Sequence, residues 1–385
     1  MLFIAYITKR LSFTVFTVIL TCFVSTGNIA AQAAANNFKV IAYYSSNAGG
    51  IDSFPIEKLT HIIYSFCHLK GNRLNVDDKA DSLTIQKLVT LKSRNPRLKV
   101  LLSLGGWGGC ATCSDVFSTA AARATFALSV KELATYFKTD GIDLDWEYPT
   151  IEGPPGHAYK PEDKDNFTAL IQELRNTLGH QQEISFAAGG FKKYLTDAVD
   201  WKAIMPLLDY VNLMNYDMVH GNSTRTGHHT PLYPTAEQNE SVEACVKYLL
   251  SIGVPAKQMI IGAAFYGRSW INVPDKNNGL YQPGQFKSFL PYNVFDQLIN
   301  TKNGFRFYYD AKAQASYAYN PATKTFATFD DDASIAKKTK YAIAHGLGGI
   351  MFWELSNDKK HGYLDVIDAA VKKYGKQTIS PKATK

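Results

Sequence analysis

The stretch Asp140-Gly141-Ile142-Asp143-Leu144-Asp145-Trp146-Glu147-Tyr148-Pro149 decides how the chain folds. Apolar and acidic residues alternate along it, the period of a β-strand, whose successive side chains point to opposite faces. Ile142, Leu144 and Trp146 then face one way, and Asp143, Asp145 and Glu147 the other. A solvated acidic strand at a sheet edge is one reading, but the interleaved apolar residues demand burial of their own face. Inside a closed barrel both demands are met, with the apolar set against surrounding helices and the acids in the lumen. Same-face residues are ~6.6 Å apart along a strand, so Glu147 stands at the mouth with Asp145 and Asp143 below it. Carboxylates stacked in this way push at least one pKa upward, and such a ladder serves no purpose of stability.

Outward from this strand, seven further runs rich in Val, Ile, Leu and Tyr recur with helical patterns between them. They are Phe38–Tyr44, His61–Cys67, Leu98–Leu104, Ile184–Ala188, Asp209–Tyr216, Met259–Tyr266 and Gly348–Glu354, flanking Asp140–Glu147 as the fourth of the series. Eight alternating units place the chain in the α/β class as a (β/α)8 TIM barrel. A doubly wound open sheet is the alternative, but no G-x-G-x-x-G turn follows the first strand. Roughly 80 residues separate Tyr266 from Gly348, where one loop and one helix need only ~30. The surplus, about residues 271–336, is rich in Tyr and Phe and reads strand-turn-strand over Ala315–Tyr319, Asn320-Pro321-Ala322-Thr323 and Lys324–Phe329. It is expected to form a small α+β insertion domain between strand seven and helix seven, walling the barrel mouth. Thr150 to Pro161, with Gly153-Pro154-Pro155-Gly156, is expected as a loop over the same mouth.

With 385 residues, 46% hydrophobic and 19% charged, the chain has ample core and is not disordered. Its 5 cysteines are too few for a disulfide scaffold. At the N-terminus Lys9 and Arg10 precede an apolar run from Leu11 to Val24, shorter than the ~20 residues that span a bilayer. Ala31-Gln32-Ala33 then suits signal cleavage. Residues 1–33 are therefore read as a signal peptide and 34–385 as one secreted catalytic domain, extracellular or periplasmic, with an uncleaved anchor as the alternative. No stable membrane insertion is expected after cleavage, and the enzyme is expected to be a monomer. The formal charge of +7 is dispersed, and pairs such as Lys192-Lys193 and Lys337-Lys338 read as solvated helix faces. No basic run interleaved with aromatics is present, so nucleic acid is not an expected partner. The 13% of aromatic residues permits stacking on sugar rings. The tail from Tyr374 to Lys385 reads as frayed.

The pattern Asp-x-x-Asp-x-Asp-x-Glu resembles that of family 18 glycoside hydrolases, the chitinases. Four further segments match in order: Ser103-Leu104-Gly105-Gly106-Trp107, Met214-Asn215-Tyr216-Asp217, Phe265-Tyr266-Gly267-Arg268 and Met351-Phe352-Trp353-Glu354. The resemblance implies a substrate of chitin or N-acetylglucosamine oligomers and retaining, substrate-assisted hydrolysis through an oxazolinium ion. It implies that Glu147 is the proton donor, and that Asp145 turns between Asp143 and the sugar's acetamido N–H while sharing a proton with Asp143. Asp140 would brace the foot of the strand. Tyr216 would bond the acetamido carbonyl, and Asp217 would hold a distorted sugar, with Met214 and Asn215 alongside. Trp353 would be the floor beneath that sugar. Gly105, Gly106 and Trp107 would form a tight turn at the rim, and Tyr148 would line the product side. Tyr44, Phe66, Tyr266 and Arg268, at strand ends, are further candidate contacts, and Trp201 and Trp270 candidate outer platforms.

Two features depart from the family pattern or stand outside it. Strand five ends glycine-rich, Phe186-Ala187-Ala188-Gly189-Gly190, leaving Phe191 as the bulky residue there. Cys110 and Cys113 lack the second pair a zinc site needs and are expected to form a local disulfide, with Cys67 and Cys245 as buried thiols. Four mature cysteines nevertheless allow three pairings. Clustered carboxylates also bind Mg²⁺ or Ca²⁺, but nothing nearby completes a cage, so neither metal nor cofactor is expected. A chitin-binding lectin and an endo-β-N-acetylglucosaminidase acting on N-glycans are the alternatives. The first lacks the catalytic glutamate and the second generally lacks the insertion.

Overall fold

The computed structural model describes residues 38–375. The expected signal peptide and the tail after Gly375 lie outside the described residues. Strands β1 (Lys39–Tyr44) and β2 (His61–Lys70) are followed by a short antiparallel return, β3 (Arg73–Asn75). Next come β4 (Lys99–Gly105), β5 (Gly141–Asp145), β6 (Glu183–Gly189), β7 (Tyr210–Met214) and β8 (Met259–Ala264). The chain then builds a second sheet from β9 (Tyr266–Ile271), β10 (Gln285–Pro291), β11 (Arg306–Asp310), β12 (Ala315–Asn320) and β13 (Thr325–Phe329). Finally β14 (Gly349–Trp353) returns to the first. In that first sheet the parallel order is β1-β14-β8-β7-β6-β5-β4-β2, and β1 pairs with β2 to close the barrel.

Local sequence sets where the outer helices begin. Those over Lys79–Thr90, Ala120–Phe137, Val242–Ser251 and Asp332–Ala344 start on Asp78, Thr119, Ser241 and Asp331. Each of these side chains accepts the N–H three residues on, satisfying a donor the helix cannot. Between helices and barrel lie Ile142, Leu144 and Trp146, with Trp146 against Phe117 and Phe167. The Trp146 indole N–H donates to His157 at 3.1 Å, which fastens the 150–161 loop to this outer face.

The lumen is filled by Ile41, Tyr43, Ile63, Leu101, Tyr210, Ile260 and Met351, and is topped by Met214, Tyr216 and Trp353. On the opposite floor, Glu183 accepts from His61 at 2.9 Å and from Lys99. Burial pushes Glu183 up, but those two partners outweigh it and hold its pKa at about 2.

The second sheet is antiparallel, in the order β10-β9-β13-β12-β11, and has its own core of Trp270, Val273, Leu280, Tyr317, Tyr319 and Phe326. It starts at Tyr266 and gives way to the next barrel helix at Asp332, so both boundaries fall earlier than the expected 271 and 336. The later one is set by a capping box, in which Asp331 and Ser334 bond each other's backbone N–H. Lys338, expected on a solvated face of that helix, is instead wholly buried against Asp330.

Candidate active site

Strand β5 ends at Asp145, so Glu147 lies just beyond it, and all three acids of the ladder are buried. Register sets Asp143 level with Ser103 on β4 and Ser185 on β6. Asp143 Oδ1 accepts from Ser185 at 2.6 Å and Asn212 at 3.2 Å, and Oδ2 from Ser103 at 2.9 Å and Tyr43 at 3.0 Å. Burial raises the Asp143 pKa and these four bonds draw it back. Among the described residues Asp145 Oδ1 is buried with no hydrogen-bond partner. Burial, then the charges of Glu147 and Asp143, drive the Asp145 pKa well up. Among the described residues no hydrogen bond joins the two aspartates, because other donors occupy both Asp143 oxygens. Below the ladder, Asp140 accepts the Val100 N–H at 2.7 Å and pairs with Lys92.

Burial pushes the Glu147 carboxyl up to about 7; the Tyr148 hydroxyl draws it down and the Asp217 charge adds to the rise. Such a group carries its proton into the neutral range and can donate it. Asp217 behaves oppositely. Burial alone would raise it, but His229 and Arg268 hold it well below the usual carboxylate range. Arg268, on β9, grips both Asp217 oxygens, with Nη2–Oδ2 at 2.6 Å, so the second sheet supplies part of the site. Two acids near each other therefore sit in opposite protonation states, as an acid and a fixed anion.

Around them stand aromatic rings. Trp353 lies 5.9 Å from Tyr43 and stacks on Phe66 at 5.5 Å, with 16° between the planes. Tyr216 is half-buried, its hydroxyl 3.9 Å from Met351 Sδ and its ring edge-on to Tyr266 at 6.0 Å. Burial, followed by the charges of Asp145, Asp217, Glu147 and Asp143, keeps Tyr216 protonated and thus a donor. Tyr148 sits among Trp107, Phe191 and Tyr194. Trp107 is 61% exposed at the rim. It is placed there by Gly105 and Gly106, both at positive φ, where a Cβ would come within 2.2 Å of Asp145 O and 2.3 Å of the Phe66 ring. The loop that follows is closed by a Cys110–Cys113 disulfide, and Cys67 and Cys245 are buried thiols.

Several expected contacts lie elsewhere. Tyr44 faces the outer helices, and it is Tyr43 that enters the lumen. Alternation assigns faces only once the phase is known, and Val40-Ile41-Ala42-Tyr43-Tyr44 is apolar on both. Asn215 is wholly buried outside the cleft, its Oδ1 taking the Gly262 N–H and its side chain lying beside Cys245. Tyr266, although buried behind Tyr216 and stacked on Phe289 at 4.6 Å, does reach the site, its side chain hydrogen-bonded to Asp217 and Arg268. Trp201 and Trp270 are core residues, their indole N–H groups donating to Leu195 O and Ser223 O. Phe66, Met214, Tyr148, Tyr216, Asp217 and Trp353 do converge on the mouth. Sequence reading missed Tyr43, Ser103, Ser185, Asn212 and His229. The first four are polar groups at lumen positions, a signal that becomes readable once each strand's phase is assigned.

The family model for glycosyl hydrolases family 18 matches residues 39–358. Mouse chitotriosidase-1 is 34% identical over 79% of this chain and 68% of its own. Chitinase A1 of Niallia circulans is 31% identical over 86% of this chain, which spans 58% of that longer protein. Among solved structures, a family 18 N-acetylglucosaminidase from Paenibacillus barengoltzii superposes with a TM-score of 0.80 at 36% identity, covering 87% of this chain and all of its own.

Proposed function

The chain belongs to family 18 of the glycosyl hydrolases, and from that premise we propose that it is an exported chitinase acting with retention by substrate assistance. The observation that carries the reading is Glu147, buried at the rim with its pKa pushed up to about 7, above an Asp145 whose Oδ1 has no partner. Most retaining glycosidases use a second carboxylate as nucleophile; this family is among the exceptions. The acetamido oxygen of the bound sugar attacks the anomeric carbon while Glu147 passes its proton to the departing glycosidic oxygen. Asp145 Oδ1 takes the acetamido N–H, which orients that group and steadies the positive charge on the oxazolinium ion. Tyr216 donates to the acetamido oxygen. Water then opens the ring, giving a proton back to Glu147.

Trp353, supported by Phe66, forms the floor for the sugar being cleaved, and Trp107 and Tyr148 line the neighbouring position. Export rests on Lys9, Arg10 and the apolar run behind them. The presence of Glu147 argues against a silent lectin, and the second sheet against an endo-acting enzyme for N-glycans.

The test is hydrolysis of a chitin tetramer by wild type and Glu147→Gln. Turnover should fall by several orders of magnitude with binding retained, and equal rates would end the reading. Product lengths separate release of dimers from removal of single sugars, the activity named for the Paenibacillus relative. A substrate with a free amine in place of the acetamide should resist cleavage; if it is cut equally well, the mechanism is not substrate assistance.

A further inference from the structure

Lys338 and Asp330 form an ion pair whose side chains are 0% and 1% exposed, with Nζ–Oδ2 at 2.7 Å. Taking two charges out of water gives little net stability even when they are well paired, so the pair calls for another role. Ser334 Oγ donates to Asp330 Oδ1 at 2.7 Å and the Tyr363 hydroxyl to Asp330 O, while the pair's other contacts run toward the active site. Asp330 Oδ2 accepts the Ala264 N–H at 3.1 Å, at the end of β8, and Lys338 Nζ donates to Thr230 Oγ1. An ammonium group only donates, so the Thr230 oxygen must accept from it and turn its own hydrogen away. That hydrogen goes to Asn215 O at 2.9 Å.

The neighbouring residue completes the grip. His229 O accepts the Met218 N–H at 3.0 Å, and His229 N donates to Thr328 Oγ1 at 3.2 Å. Strand β7 has ended at Met214, and the peptide groups on either side of Tyr216-Asp217 are thus held by His229 and Thr230.

We propose that the buried Asp330–Lys338 pair positions Tyr216 and Asp217, acting through the Thr230 hydroxyl. The inference rests on the catalytic reading above for the roles of those two residues. Charge at this point does what an apolar pair of equal volume cannot, because it dictates which way the Thr230 hydroxyl points. Thr230 and Lys338 are positioning residues and touch no substrate.

Thr230→Val keeps the shape and the ion pair but removes the bond to Asn215. On the chitin tetramer kcat should fall about 10- to 100-fold, the scale of an ångström-level misplacement. KM should change little, and Thr230→Ser should restore kcat. A wild-type kcat in folded Thr230→Val, or a loss confined to KM, overturns the proposal. If that variant does not fold, the apolar double variant Asp330→Leu with Lys338→Met decides: it should fold and lose kcat, and wild-type turnover in it overturns the proposal. Hydrogen exchange gives a readout independent of activity. The Met218 amide should exchange faster in Thr230→Val or in the double variant, and unchanged protection counts against the proposal. A wild-type enzyme inert on the tetramer would defeat the catalytic reading alone, with hydrogen exchange still judging the positioning claim.

Discussion

Asp143 and Asp145 enter the same lumen from alternate positions of β5, yet four donors converge on Asp143 while Asp145 Oδ1 is buried with none. One carboxyl is an anchored part of the barrel, and the other keeps an oxygen without a partner among the described residues, as the proposed acetamide contact requires. Their substitutions should therefore fail in different ways. Asp145→Asn should lose about 10²- to 10³-fold in kcat, as for removal of one charge-stabilising group, with the melting temperature held or raised. Asp143→Ala orphans buried donors at ~1–3 kcal/mol each, so denaturant unfolding should show a loss of at least about 3 kcal/mol. The reverse ranking of stabilities would refute this division.

The pH dependence follows from Glu147 and Asp217. In the proposed mechanism Glu147 must carry its proton to act, and its pKa of about 7 then places the alkaline limb of kcat/KM near neutrality. The Asp217 anion contributes to that upward shift. Asp217→Asn removes the negative charge and should move the limb to lower pH. Rate profiles between about pH 5 and pH 9 measure it (roughly two units either side of the limb), and an unmoved limb contradicts the coupling.

Glu147 also ties stability to pH. Its folded pKa of about 7 exceeds its ordinary value of 4.5, so the fold favours the protonated form. That contribution is fully present below pH 4.5 and is lost as pH rises through about 7. The shift corresponds to roughly 3 kcal/mol. Glu147→Gln lacks this titration, so relative to wild type it should gain about 3 kcal/mol between acid and pH 8. Denaturant midpoints at the two pH values test it; a gap that does not widen with pH would show that Glu147 is not desolvated.

Trp353 and Trp107 differ in their support. Trp353 is half-buried between Tyr43 and Phe66, whereas Trp107 is 61% exposed and touches Tyr148 only edge-on. With Trp353 as the proposed floor, Trp353→Ala should reduce kcat/KM on the tetramer by about 100-fold or more, since its loss would weaken binding at the reacting sugar itself. Trp107→Ala should change KM by about two- to fivefold. Equal losses would place the reacting sugar elsewhere along the rim.

The barrel and its ladder of acids could be read from one strand because alternation is local: Ile142 and Leu144 need burial whatever the rest of the chain does. The same rule failed at Tyr43 and Tyr44, where both faces are apolar and nothing local sets the phase. The surplus before Gly348 was visible as length and as the strand-turn-strand pattern of Ala315–Phe329. That it would send Arg268 back to Asp217 was not, since the pair lies 51 residues apart.

The amino-acid sequence by itself determined which side of β5 is acidic and that Glu147 follows as the last acid of the series, because neighbours two apart on a strand share a face. Tertiary structure alone decided which acid is anchored and which is free. The donors to Asp143 come from residues such as Tyr43 and Asn212, 100 and 69 positions away. Only closure of the barrel brings them within hydrogen-bonding reach, and the same closure strips water from Asp145 and Glu147 and so raises their proton affinity.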